Sequence, residues 1–279
     1  MNYQELDSKR LKVYSAYKRD MIIGVLLCIV IIGIFFIIKA QMEKNNFLKE
    51  FKKSFVNELL NDLYPGSEYN PSLGIPIGTI MSVGMVKSPD RYHTEDLMVG
   101  NYKDVKFSVA DCHLEERHET RDANGHHHTE YETYFKGRWF IFEYEKNFNQ
   151  IIKVKEKQVF DGGMNKRGLV KCEVESIDFC DKFNVYASDE QHLFVVLTPV
   201  MIDAMLRLEK MYKGRIMFAF INNQLHIGIN DNKDYLEPKI SQPITEEMVK
   251  KFSSQIDIIG AIINEFELST YKFKNEEIA

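Results

Sequence analysis

Eighteen consecutive residues, Met21 to Ile38, carry no charged side chain, and no other feature constrains the chain so strongly. A helix satisfies its own backbone hydrogen bonds, so hydrocarbon is a tolerable solvent for an apolar one. At about 1.5 Å per residue the run reaches roughly 27 Å, slightly short of a bilayer core of about 30 Å. Lys18, Arg19 and Lys39 can make up the difference by extending to the headgroups, and Tyr14 and Tyr17 sit one turn outside. A buried core helix would show a polar stripe, and a cleavable signal peptide would place small residues before its cleavage site. Neither pattern is present, so the expectation is one retained transmembrane helix over 21–38, preceded by a short polar segment over 1–20. Gly24 and Cys28 have the small-xxx-small spacing that can support a homodimer.

The charged flanks do not orient such a span. Lys9, Arg10, Lys12, Lys18 and Arg19 precede it and Lys39, Lys44, Lys49, Lys52 and Lys53 follow it, so the positive-inside rule is nearly balanced. Cys112, Cys172 and Cys180 are too few to form a disulfide framework, which favours a cytoplasmic location for the remaining domain. A net charge of −5 with dispersed acids argues against a nucleic-acid partner.

After the apolar run, Phe47, Phe51, Phe55, Leu59 and Leu63 recur every four residues, which predicts an amphipathic stalk helix over 42–63. Such a stripe packs on its own domain more readily than it lies on a membrane. Tyr64-Pro65-Gly66 ends it. Asn124-Gly125 then separates two strand-like runs, the strongest short hairpin signal. A two-residue turn there pairs Ala123 with His126 and Asp122 with His127. The same register sets Val109 against Phe140, Phe107 against Phe142, Val105 against Tyr144 and Asp111 against Arg138. That agreement predicts a long hairpin from Val105 to Tyr144, because a one-residue slip would reverse the faces. Further strands are expected at Ile151 to Lys155, Leu169 to Val174 and Phe183 to Ala187. A helix begins at Pro199, a second hairpin turns about Asn222-Asn223, and a last helix is capped by Thr245. The fold class is therefore α+β: one transmembrane helix, the stalk, and a soluble domain over 64–268 of antiparallel hairpins with two packing helices. A tail over 269–279 follows.

The segment Phe135-Lys-Gly-Arg-Trp-Phe-Ile-Phe-Glu-Tyr-Glu-Lys-Asn-Phe148 resembles a signature of a bacterial membrane-protein family, domain of unknown function thirty-one thirty-seven. Phe183-Asn-Val-Tyr-Ala-Ser-Asp189, Leu197-Thr-Pro-Val-Met201 and the hairpin Ile216 to Ile229 are similar to its later landmarks, in the same order. The resemblance extends over roughly Phe47 to Phe266. It implies a protein of the bacterial cell membrane, here single-pass, and carries no catalytic residues across. Family members commonly have two adjacent spans where this chain shows one.

Candidate chemistry is sparse. His126-His127-His128 is the first place to look for a metal: on a strand His126 and His128 share a face, while zinc usually takes three or four ligands. His126 and His128 are the candidate metal ligands, completed by a second copy if two tips meet. His118 falls too far along the strand to join them. His113-Leu-Glu-Glu-Arg-His118 lacks the zincin spacing, and Asp231-Asn-Lys-Asp234 has a lysine where a calcium loop needs an oxygen. Gly162-Gly163-Met-Asn-Lys166-Arg167-Gly168 matches no phosphate-binding fingerprint. Cys172 reads as a packed thiol, and Glu175, Asp178, Asp181 and Asp189 as a solvated surface. No catalytic residue and no cofactor is assigned. The expected function is a non-enzymatic interaction or accessory module at a membrane surface, with the lipid bilayer and a membrane-associated protein as partners. The alternatives are a tethered metal-dependent hydrolase or a histidine-tip metal or pH sensor.

Overall fold

The computed structural model describes residues 3–27, 32–121, 127–157, 163–191 and 193–275. In chain order the elements are α1 (Tyr3–Leu26), α2 (Ile32–Leu63), β1 (Glu68–Asn70), α3 (Ile77–Val83), β2 (Arg91–Tyr102), β3 (Val105–Arg121), β4 (His127–Glu143) and β5 (Ile151–Glu156). They continue with β6 (Val170–Cys172), α4 (Ile177–Lys182), β7 (Phe183–Ala187), α5 (Leu193–Val196), α6 (Pro199–Met211), β8 (Arg215–Ile221), β9 (Gln224–Asn230) and α7 (Glu246–Glu265). Two compact units result, Met1–Pro65 with Leu236–Asp257 and Gly66–Tyr235 with Ile258–Ala279.

In the first unit α1 and α2 run antiparallel. Ile37 lies against Gly24, where an added Cβ would fall 2.6 Å from Ile37 Cγ1, and Lys44 Nζ lies 5.8 Å from the centre of the Tyr17 ring. The expected single helix over Met21 to Ile38 is therefore corrected: α1 ends at Leu26 and α2 begins at Ile32. Among the described residues no helix is long and apolar enough to cross a membrane. The physical reason is that an apolar run reads alike whether the chain continues through it or reverses within it. Gly24, which lacks a side chain, lets the returning helix close on the first. Residues 28–31, and with them Cys28 of the small-xxx-small pair, lie outside the described residues.

The stalk stripe is on α2, as the periodicity predicts. Phe47, Phe51 and Phe55 stack in succession at 6.2 and 5.0 Å, Phe51, Phe55, Val56 and Leu60 are buried, and Phe55 meets Phe252 of α7 edge-on at 5.9 Å. The strap before α7 holds the base of α1: Arg10 donates to Ile240 O (3.1 Å) and to Asp7 (2.8 Å), and Ile244 N–H donates to Asp7 (3.1 Å). Those two donors hold the Asp7 carboxyl below its ordinary value. Thr245 caps α7, accepting from Met248 N–H at 3.3 Å.

The second unit is built on one sheet in the order β1-β2-β3-β4-β9-β8-β5-β7-β6, antiparallel at every pairing. The predicted inner register holds: Val109 faces Phe140, Phe107 faces Phe142 and Asp111 faces Arg138. Past Leu114 it shifts by one. Leu114 pairs with Phe135 but Glu115 pairs with Thr133, so Tyr134 is an extra residue in β4. The expected pairing of Asp122 with His127 is thereby overturned, because Arg121 is the partner of His127. Residues 122–126, including the Asn124-Gly125 turn and His126, lie outside the described residues.

Alternation along the strands gives the sheet two apolar faces. One carries Cys112, Leu114, Trp139, Ile141, Met217 and Ala219, covered by Ile80 and Val83 of α3 with Met85 and Met164. Lys153 points into this side, donating to Gly84 O (3.1 Å) and Asn165 O (2.9 Å) and so fastening two loops to the sheet; burial pulls its ammonium down from the ordinary value. The other face carries Phe140, Phe142, Phe218 and Ile227, with Phe218 5.9 Å from Phe266, which directly follows α7. Gly137 is required where β4 approaches β9: its φ is +151°, and a Cβ would lie 2.1 Å from Ile229 O. Gly137→Ala is expected to cost about 1–3 kcal/mol, read as a lowered urea midpoint at unchanged slope.

His226 is buried beside Trp139, whose indole N–H donates to its Nδ1 at 3.3 Å, while Nε2 lies 3.1 Å from Gln224 Oε1. Burial pulls its pKa down to about 4 from 6.5. Below pH 6.5 the unfolded chain takes up a proton that the folded chain refuses, so this contribution is present above pH 6.5 and is lost as pH falls towards 4. Between pH 7 and pH 5 stability should drop by about 2 kcal/mol more in the wild type than in His226→Gln, measured by urea unfolding at both pH values.

Candidate functional site

The feature that departs furthest from an ordinary soluble surface is the closed end of the α1–α2 hairpin. Ile22, Val25, Leu26 and Leu27 on the outgoing side, and Ile34, Phe35 and Ile38 on the returning side, are exposed, Leu26 by 73% and Phe35 by 66%. Soluble monomers rarely leave contiguous large side chains in water, and such a patch marks a contact with lipid or protein. Its local cause is the sequence itself: the apolar run has no polar stripe, so two antiparallel helices can bury only the sides that face each other.

The dimensions of this end follow from helix geometry. Met21 to Leu26 spans about 9 Å and Ile32 to Ile38 about 10 Å at 1.5 Å per residue. Charges collar it at one level. Arg19 Nε donates to Asp20 at 2.8 Å on α1, and Lys39 lies 3.9 Å from Glu43 on α2, with Lys18 Nζ 5.5 Å from the Tyr14 ring. The apolar cap is thus about 10 Å deep under a ring of cations and tyrosines.

The residues singled out in the sequence are dispersed. His128 is exposed on β4 opposite Thr120, and His126 lies outside the described residues. His113 contacts Thr133 Oγ1 at 2.7 Å, whereas His118 lies 3.1 Å from Glu132 and 3.5 Å from Glu116. In the loop after β9, Asp231 is met by Lys233 (3.0 Å) and by the Tyr235 hydroxyl (2.6 Å), and Asp234 by Lys136 (2.9 Å). The acids Glu175, Asp178 and Asp181 are exposed around α4. Cys172 is buried, and burial pushes its thiol up; Cys112, which also lies in the core, is pushed up to about 12. Neither thiol ionises near neutrality, so neither is an activated nucleophile.

The sequence reading missed the reversal and therefore the tip as a surface. Its one usable signal was the pair of glycines, Gly24 and Gly33, both inside the apolar run.

Among curated proteins no relative matches this chain. The solved crystal structure of the mycobacterial trehalose monomycolate transport factor A, TtfA, aligns with 77% of this chain and 96% of its own at 6% identity and a TM-score of 0.41, too low to establish a shared fold. A family model matches residues 133–268, from the outer part of β4 through the end of α7, which includes the landmarks from Phe135 to Ile229 that carried the resemblance. That model is described as Protein of unknown function (DUF3137), and its match covers just under half of the chain.

Proposed function

We propose that this chain is a membrane-surface accessory module that seats the α1–α2 hairpin end in one leaflet and acts by binding a membrane-associated protein rather than by turnover. The exposed apolar tip carries the reading. Each large side chain moved from water into hydrocarbon contributes about 1.5–3 kcal/mol, so the seven from Ile22 to Ile38 outweigh the cost of ordering a preformed hairpin at an interface.

The reversal also gives the flanking charges a different reading. In a crossing helix the two basic flanks oppose each other across the bilayer. In a hairpin Lys9, Lys12 and Lys18 lie on the same side as Lys39, Lys44 and Lys49, and their charges add. A juxtamembrane cluster of this kind favours an anionic leaflet by about 1 kcal/mol per near-surface cation, which supports a cytoplasmic-face location. A non-enzymatic role is supported by the buried, raised thiols of Cys112 and Cys172.

Flotation with vesicles containing anionic lipid tests the attachment. Wild-type protein should co-float, and Leu26→Asp with Phe35→Asp should remain in the dense fraction with an unchanged far-UV spectrum; equal flotation of both sinks the proposal. Sidedness distinguishes a hairpin from a crossing. Single cysteines introduced at Gln4 and at Gln41 should both react with an impermeant maleimide from the same side of the vesicle, whereas a crossing helix would protect one of them.

A further inference from the structure

Beyond β2 and β9 the strands β3 and β4 continue alone as a two-stranded ribbon, since β2 pairs no further out than Glu115 and β9 no further out than Gly137. The extra residue Tyr134 sits at the base of this ribbon and decides which side chains share a face. With a uniform register His118 would stand across from Tyr131, beside His127 and Thr129. The bulge moves its partner to Glu130, and Thr120 becomes the partner of His128. Glu116, His118 and Thr120 of β3 therefore share one face with His128, Glu130 and Glu132 of β4, while His127 and Arg121 point to the other.

That face holds two imidazoles and one carboxylate, those of His118, His128 and Glu130, at adjacent positions of the ribbon. His118 is directly across from Glu130, His128 is two residues along the same strand, and His118 and His128 are diagonal neighbours. Directly opposed Cβ atoms are about 4.5–5.5 Å apart and diagonal neighbours about 7–8 Å. Imidazole and carboxylate ligands held about 2.0–2.2 Å from an ion bridge both separations. The His118 ring lies among carboxylates, with Nε2 3.1 Å from Glu132 and 3.5 Å from Glu116, and Glu116 is in turn engaged by Lys87. His118, His128 and Glu130 are all exposed, and rotamer changes at the surface would gather their ligand atoms.

We propose that this ribbon face binds one divalent transition-metal ion through His118, His128 and Glu130. Two imidazole nitrogens and a carboxylate oxygen suit zinc, cobalt(II) or manganese(II) rather than calcium, which takes more oxygens. The histidine triplet then contributes one ligand, and the rest of the site comes from residues that only the bulge brings alongside it.

Titration of the full-length protein with cobalt(II), followed by visible absorbance, and then with zinc in competition with a chromophoric chelator, tests this. One equivalent should bind, and His118→Ala and Glu130→Gln should each weaken zinc binding at least tenfold, while His127→Ala on the opposite face leaves it unchanged. Circular dichroism of each variant should match the wild type. The proposal is overturned if neither ion binds at micromolar concentration. It is equally overturned if His118→Ala and Glu130→Gln bind as the wild type while His127→Ala weakens binding, because the triplet alone would then hold the ion.

Discussion

The pairing of β3 with β4 is the constraint on which the sheet of the second unit rests, and the buried Asp111–Arg138 pair fixes its register. Arg138 Nε donates to Asp111 at 3.0 Å, Tyr235 N–H donates to the other carboxylate oxygen at 2.7 Å, and the guanidinium lies 4.2 Å from the centre of the Tyr235 ring. Burial pushes the Asp111 carboxyl up, against the pull of Arg138 and the Tyr235 amide. Desolvating two charges consumes much of what their attraction returns, so the pair adds little net stability. Its value is discrimination: a slip of one residue would bury each charge without the other and turn Val109 and Phe140 away from the core.

How much of this was legible follows from how locally each feature is encoded. The inner register could be read because Val109, Phe107 and Asp111 each have a matching partner on β4, and a wrong register breaks all three matches together. The Thr245 cap and the Asn222-Asn223 turn could be read because each is a few residues with a known backbone preference; Asn222 indeed has a φ of +58°. The strand β2 escaped because Arg91-Tyr-His-Thr-Glu-Asp96 is half-exposed at the sheet's outer side and shows little apolar alternation. Its tight turn into β3 uses Lys103 and Asp104, both at positive φ, where no glycine or asparagine announces it.

The bulge at Tyr134 and the reversal in the apolar run share a different cause. Each is decided by what the segment packs against, and neither alters composition. Tyr134 donates its hydroxyl to Lys87 O at 2.7 Å, and the Lys87 ammonium lies 4.8 Å from its ring, so the extra residue is held by a segment far away in sequence. Gly24 is likewise informative only once Ile37 is known to face it. In both places the pattern rule gave the right element and the wrong partner.

The antiparallel closure of α1 on α2 has a kinetic consequence. A crossing helix commits a polar flank to the far side of the bilayer, and withdrawing it means dragging those charges back through hydrocarbon. A hairpin whose charged ends, from Arg19 and Asp20 to Lys39 and Glu43, stay at one level asks for no such passage. On the proposed seating in one leaflet, arrival and departure would differ only by the transfer of a few apolar side chains, so residence would be set by lipid composition or by a competing protein surface, and the same folded chain could serve more than one membrane patch in turn.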